Sequence, residues 1–302
     1  MSLIECVPNF SEGRRSVVVD EIVAAIAAVP QAHVLDRQSD AVHNRSVVTF
    51  VAPPEAAAEA ALAGIAAASR LIDLNLHRGA HPRFGAADVV PFVPLQDGDM
   101  PICVAAAETV ARRAATELGI PAYLYEQAAR RPERRDLADV RRGGFEELRE
   151  TIVTDSQRAP DFGAAEVHPT AGAVAVGARR PLIAYNVNLL SDDVELARGI
   201  AGEIRERDGG LPNLKAIGLA LEDCVQVSMN LTDYRVTPMS VAFEAVRSRA
   251  EARGVQVRES EIVGLVPEEA LVDVACAALL AGGLSRDQVL EARVLDTILA
   301  AS

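Results

Sequence analysis

The spacing of apolar residues changes repeatedly along the chain, and each change marks an element. Residues 3–7 form a short β-favouring run closed by Pro8, and residues 8–13 read as a turn. Over residues 15–29, Val18, Ile22, Val23 and Ile26 recur at helical spacing, with Ser11 or Asn9 as the expected N-cap. Residues 33–36 and 46–51 read as strands flanking a polar connection at 40–45. A second, alanine-rich helix is predicted over 53–72, entered through proline, and a strand over 89–93. The order is β-α-β-β-α-β. An added segment follows, with a helix at 102–118, a strand at 122–125 and an arginine-rich helical region to about 151. Its run from 129 to 142 reads as a solvated face.

Residues 159–177 break the pattern. They are small, punctuated by glycine and proline, and charged only at Asp161 and Glu166. They read as a loop passing close to a ligand or, more simply, as an interdomain linker. After them the order starts again: a strand at 182–188, a helix at 192–207 with Ser191 as N-cap, strands at 215–221 and 224–231, a helix at 238–253 and a strand at 255–263. Helices at 267–280 and 285–300 close the chain. The predicted fold class is α+β, two ferredoxin-like (βαββαβ) subdomains packed side by side with a cleft between them, a favoured place for a ligand.

Composition narrows the functions. A net charge of −13 argues against bulk nucleic-acid or anionic-membrane binding. An anionic ligand must then meet local arginines, helix N-termini or backbone N–H groups. Lys215 is the only lysine, so nearly all positive charge is guanidinium, which suits carboxylates. Cys6, Cys103, Cys224 and Cys276 are widely spaced and read as buried, reduced thiols rather than a zinc site. The N-terminus lacks the basic and apolar regions of a signal peptide, and no apolar run is long enough to span a membrane. A cytoplasmic protein is expected.

Three polar constellations carry the chemistry. Asn9 to Gly13 lies at a strand-to-helix turn, His43-Asn44-Arg45 precedes a strand, and residues 77–88 hold two histidines, two arginines and a proline. The first two also read as ordinary capping and a solvated turn. In the third, Pro82 and Gly79 disfavour a helix, so His77 and His81 are poorly arranged to share a metal. A titratable group on a stiff loop suits acid–base catalysis. Dinucleotide and P-loop fingerprints and the G-x-S-x-G elbow are absent.

Glu5-Cys6-Val7-Pro8-Asn9-Phe10-Ser11-Glu12-Gly13, Asn44-Arg45, His81-Pro82-Arg83 with Gly85 and Asp88, Ala159-Pro160-Asp161-Phe162-Gly163, Asn186-Val187-Asn188 and Gly264-Leu265-Val266-Pro267 together resemble the glutamate formiminotransferase family over essentially the whole chain. The resemblance is to the transferase part of formiminotransferase-cyclodeaminases, without a cyclodeaminase part. It implies transfer of the formimino group of N-formimino-L-glutamate to N5 of tetrahydrofolate, in histidine degradation. It also implies a homodimer, tetrahydrofolate as co-substrate, no metal, and subdomains at 1–178 and 179–302. Formyl transfer from N-formylglutamate and non-catalytic folate binding are the alternatives.

The family's catalytic histidine falls on His81, and its folate segment on Gly163-Ala164-Ala165-Glu166-Val167-His168-Pro169-Thr170-Ala171-Gly172. Ala171 stands where the family has a large aromatic residue. Asn9, Asp36, Asp40, Asn44, Arg45, Arg83 and Arg179 are the candidate substrate-binding residues, with arginines for carboxylates and an aspartate to orient the imidazole or hold the cationic amidine. His77 is left with a structural role. The folate segment is expected across the cleft from the His81 loop.

Overall fold

The computed structural model of the protein describes residues 3–79, 82–96 and 98–301, in two units, Met1–Arg179 and Arg180–Ser302. The first contains β1 (Ile4–Cys6), β2 (Asn9–Phe10), α1 (Ser16–Ala27), β3 (His33–Asp40), β4 (Arg45–Ala52), α2 (Pro54–Leu71), β5 (Ala87–Pro94), α3 (Met100–Leu118), β6 (Ala122–Glu126), α4 (Leu137–Val140), α5 (Gly144–Thr151) and β7 (Val174–Ala178). β3 pairs with β4; β1 and β2 both lie between β4 and β5, all antiparallel. β7 then joins β5 in parallel, and β6 joins β7.

The period-2 alternation of the strands divides this sheet into two faces. Ile4, Cys6, Phe10, Val48, Phe50, Ala52, Val90, Phe92, Val174 and Val176 pack into one buried cluster with Ile22, Ile26, Ile65 and Val110 of α1–α3. Tyr123, Tyr125, Val89 and Ala175 take the opposite face, where they cluster with Val140, Leu148 and Ile152 of the α4–α5 region. Towards β3 and β4 this second face becomes polar.

The first strand ends near Pro8 as expected, but strand pairing returns where only a turn was expected. Pro8 has no N–H to give the ladder, so pairing stops after Cys6 and resumes at Asn9, inside the predicted turn. β3 runs on to Asp40, because β4 supplies a partner along its whole length. Residues 159–177 are not a linker. Their last part is β7, a buried strand between β5 and β6, and the unit boundary falls after Arg179. Small residues are what a strand covered on both faces accommodates. The arginine-rich run is also only partly a solvated face. Arg134 is 3% exposed, ion-paired with buried Asp161, and Arg141 reaches inward to Asp88 at 2.6 Å.

The second unit contains β8 (Ile183–Leu189), α6 (Val194–Ile204), β9 (Leu214–Ala220), β10 (Val225–Leu231), α7 (Met239–Glu251), β11 (Val257–Val263), α8 (Glu268–Leu279) and α9 (Leu290–Ala301). Its sheet is antiparallel in the order β11-β8-β10-β9. Ile183, Tyr185, Val187 and Leu189 alternate onto α6 and α7. The cap of α6 is Asp193, which accepts from the Glu195 N–H; the predicted cap, Ser191, instead accepts from the Asp193 N–H. Among the described residues, no helix is long and apolar enough to cross a membrane. Cys6, Cys103 and Cys224 are buried free thiols, whereas Cys276 is half-buried.

Candidate functional site

His81 lies outside the described residues, but both stems of its loop are defined. On the near side, the Leu74 N–H donates to Thr170 O at 2.8 Å and the Asn75 amide to Pro169 O at 2.9 Å. On the far side, the Ala86 N–H donates to Ala171 O at 2.9 Å and the Ala173 N–H to Phe84 O at 3.2 Å. Residues 169–173 are therefore stitched to the loop from both ends, inside one unit. The expectation that they face the loop across an interdomain cleft is corrected. Backbone bonds at both stems, with the Asn75 side chain added at one, bring the segment and the stems side by side instead.

The stitched segment is itself a tight reversal. His168 and Gly172 exchange backbone bonds of 2.9 and 3.1 Å, and His168 Nδ1 accepts from the Ala171 N–H at 3.0 Å. Accepting that N–H requires a lone pair on Nδ1, and burial, which holds the His168 pKa below its ordinary value, favours the neutral ring. Gly172 sits at φ +70°, and a Cβ there would stand 2.5 Å from Phe84 O, so only glycine fits. Ala171 is 2% exposed and belongs to the core cluster.

The polar candidates share the second face of the first sheet. Asn9 pairs opposite Val47, Asp36 opposite Thr49 and Asp40 opposite Arg45, positions that alternate away from α1–α3. Arg45 bonds the Asn9 side-chain oxygen, and the Asn9 amide donates to Val7 O at 2.7 Å. Burial pulls the Arg45 guanidinium down to about 10, with Asp88 opposing the shift. Glu5 alternates onto the same face; burial raises its carboxyl, and Arg179 counteracts. Asp40 is engaged by its own turn, accepting from the Val42 and His43 N–H groups and from the His43 ring at 2.5 Å.

Four candidates are placed otherwise than their spacing suggested. Neither Ser11 nor Asn9 caps α1: the Ser11 hydroxyl donates to Gly85 O at 2.7 Å, and Glu12 takes the Arg14 and Arg15 N–H groups at 2.9 Å. Burial pushes the Glu12 carboxyl up, but those bonds outweigh it and the net shift is downward. Arg83 does not join Arg45. It pairs with Glu146 at 2.5 Å, and with Pro82, Arg141 and Arg142 it lines a cavity of about 450 Å³. Asn44 is only 7% exposed and has both ends of its amide bonded to protein, to the Gly13 N–H and to Arg78 O.

Sequence reasoning missed Glu5, Tyr125 and the Asp88–Arg141 pair. A carboxylate within an apolar strand was a legible signal for Glu5. Asp88 was not legible, because its direction depends on the register shift between β2 and β5.

The comparisons agree over most of the chain. Residues 3–179 match the family profile described as formiminotransferase domain, N-terminal subdomain, and residues 184–280 the one described as formiminotransferase domain. The chain is 52% identical to a glutamate formimidoyltransferase of Thermoplasma acidophilum, over 97% of this chain and 98% of that one. It is 47% identical to a glutamate formimidoyltransferase of Streptococcus pyogenes, over 90% and 92%. It is 43% identical to a mouse formimidoyltransferase-cyclodeaminase, over 90% of this chain but 52% of the relative.

Proposed function

We propose, because the chain belongs to the formiminotransferase family, that it moves the formimino group of N-formimino-L-glutamate to N5 of tetrahydrofolate, giving 5-formiminotetrahydrofolate and L-glutamate in histidine degradation. The observation that carries this reading is identity of about half along nearly the full length of two glutamate formimidoyltransferases. The stitching of residues 169–173 to both stems of the loop that carries His81 in sequence supports it, since the folate segment then lies beside those stems. The β-α-β-β-α-β order of both units, with the outer strands flanking the first and third, supports the ferredoxin-like assignment and a division into 1–178 and 179–302. A cytoplasmic homodimer without a metal completes the reading.

The chemistry assigns the roles. N5 of tetrahydrofolate attacks the amidine carbon, and a tetrahedral intermediate forms. The C–N bond to glutamate then breaks, and glutamate leaves as a neutral amine once its nitrogen has gained a proton. His81 accepts the N5 proton and delivers one to the departing nitrogen, work suited to an imidazole. Residues 163–172 hold the folate. Arg45 and Arg179, on a buried sheet face, hold carboxylates in bidentate geometry. Asn9, which Arg45 bonds, and Asp36 take the polar parts of the donor. Asp40 and Arg83 belong to the rim, held by His43 and Glu146.

The test incubates the full chain with tetrahydrofolate and each donor in turn and follows the folate product spectrally. Product with formiminoglutamate is expected. Product with formylglutamate alone, or folate binding without product from either donor, overturns the reading.

A further inference from the structure

We propose that Asn44 is a positioning residue of the transfer reaction: it fixes the main chain of residues 77–79, two residues ahead of His81, and does not bind substrate. The proposal rests on the reading of His81 as the acid–base group. Asn44 sits at the end of the turn between β3 and β4 with φ +51°, a left-handed conformation that asparagine tolerates better than most residues. Its Oδ1 accepts from the Gly13 N–H at 2.9 Å, and its Nδ2 donates to Arg78 O at 3.0 Å. The two partners fix the amide's orientation, because an N–H needs an acceptor and a carbonyl needs a donor. The main-chain oxygen of Asn44 accepts from His77 Nε2 at 2.9 Å. One residue thus joins three segments far apart in sequence: the turn after β2, its own hairpin and the stem of the catalytic loop.

His77 completes the clamp. A ring nitrogen facing a carbonyl carries the proton, so its Nδ1 is the bare nitrogen, and that atom is buried with no hydrogen-bond partner among the described residues. His77 is 8% exposed. One residue further, the Gly79 backbone lies so close to the hairpin that a Cβ would fall on the His43 carbonyl oxygen. Residues 77, 78 and 79 are each held against residues 43–44, by a ring, a carbonyl and a bare backbone in turn. An acid–base group acts at full rate only from a closely defined position, and a displacement of about 1 Å lowers the rate roughly 100-fold. Asparagine suits this task because it is small, carries a donor and an acceptor on opposite ends of one plane, and accepts the left-handed backbone.

Three variants of the full chain test the clamp. Asn44→Asp keeps the acceptor for Gly13 and places a carboxylate against Arg78 O. Asn44→Gly keeps the left-handed backbone and removes both side-chain bonds. Gly79→Ala leaves Asn44 intact and forces the loop stem off the hairpin. With formiminoglutamate and tetrahydrofolate, each should lower kcat about 10- to 100-fold while both KM values stay within about threefold. The kcat–pH profile should shift with them, because the imidazole environment changes. A purely conformational role for Asn44 predicts that the glycine variant turns over at the wild-type rate, and that outcome overturns the proposal. So does a raised KM for the donor at unchanged kcat, which would mark Asn44 as a substrate contact. If Asn44→Asp fails to fold, Gly79→Ala carries the same test. A wild-type chain inactive with formiminoglutamate sinks the proposed function, a different result from an active wild type whose variants equal it.

Discussion

The two units use the same order of strands and helices and the same strand arrangement, yet their second sheet faces differ in kind. In the first unit that face gathers Glu5, Asn9, Asp36, Arg45 and Tyr125, and the segment from α3 to β7 adds two parallel strands beside it. In the second unit the equivalent face carries uncharged amides and hydroxyls along its centre. Asn188 lies opposite Gln226 and Asn186 opposite Ser228, and Gln226 Nε2 donates to Asn188 Oδ1 at 2.9 Å. All five histidines, His33, His43, His77, His81 and His168, belong to the first unit. The scaffold therefore does not determine the chemistry. The two faces differ in where charge sits: the first unit has Glu5 and Arg45 buried within its face, whereas the second has its charge at the edge strand, where Glu261 accepts from Asn186 Nδ2 at 3.3 Å.

The sharpest way to break this contrast is to remove the first unit's proposed acid–base group. His81→Ala should reduce kcat about 10²- to 10⁴-fold and leave folate binding nearly unchanged, measured by turnover and by folate titration. Near-normal turnover would mean that the chemistry resides elsewhere. The next largest effect is on stability. Arg134 and Asp161 form an ion pair with both side chains 4% exposed. Arg134→Met should destabilise the chain by about 3–5 kcal/mol in denaturant unfolding, because a buried carboxylate is left alone. Adding Asp161→Asn should restore a good part of it, since the amide oxygen still accepts from the Leu124 N–H, now bonded to the carboxylate at 2.8 Å. No recovery would show that packing, not charge, holds α4 and α5 to the sheet.

Much of this was legible in the sequence, and the failures have physical causes. Helical spacing identified α1, and an alanine-rich run entered through proline identified α2, because their apolar positions face one layer. The second unit's strands were found to within a residue or two for the same reason. β7 was missed because a strand of Val174, Ala175, Val176, Gly177 and Ala178 is too small and too uniformly buried to alternate. Arg134 and Arg141 were taken for surface because a single sequence does not show which arginine meets a buried aspartate. Apart from the Asn75 side-chain amide, the stitching of 169–173 to 74–75 and 84–86 consists of main-chain bonds, which residue identity barely encodes. The glycines at 85 and 172 and Asn75 were its traces.

Two smaller changes sharpen the comparison. Gly172→Ala, in the stitched segment, should destabilise by about 1–3 kcal/mol and weaken folate binding, because the left-handed backbone and the approach to Phe84 O both exclude a side chain. Gln226→Ala, on the amide face of the second unit, should change unfolding free energy by only about 1 kcal/mol and leave turnover untouched. A large loss of activity from Gln226→Ala would place chemistry on the second unit's face and dissolve the contrast.

The least of the expected effects separates the units by pH. Burial lowers the pKa of His77 in the folded chain, with Arg83 adding to the shift and the bond to Asn44 O opposing it. His168 is lowered by burial as well. In the unfolded chain both titrate near about 6.5. Below that value the unfolded chain takes up protons that the folded chain still refuses, so stability rises with pH across the interval. Acidification from neutral should therefore weaken the fold beginning just below about pH 6.5 and level off once the folded histidines are themselves protonated. Carboxylates such as Glu12 act lower, since its folded pKa is depressed and its contribution is lost only as the pH falls from about 4.5 through the folded value. The double variant His77→Gln, His168→Gln should flatten the upper interval and leave the lower one, as read from denaturant midpoints taken every half pH unit. Gln226→Ala should leave the slope unchanged. If the double variant keeps the full slope between pH 5 and 6.5, these two imidazoles are not the groups through which the first unit senses acid.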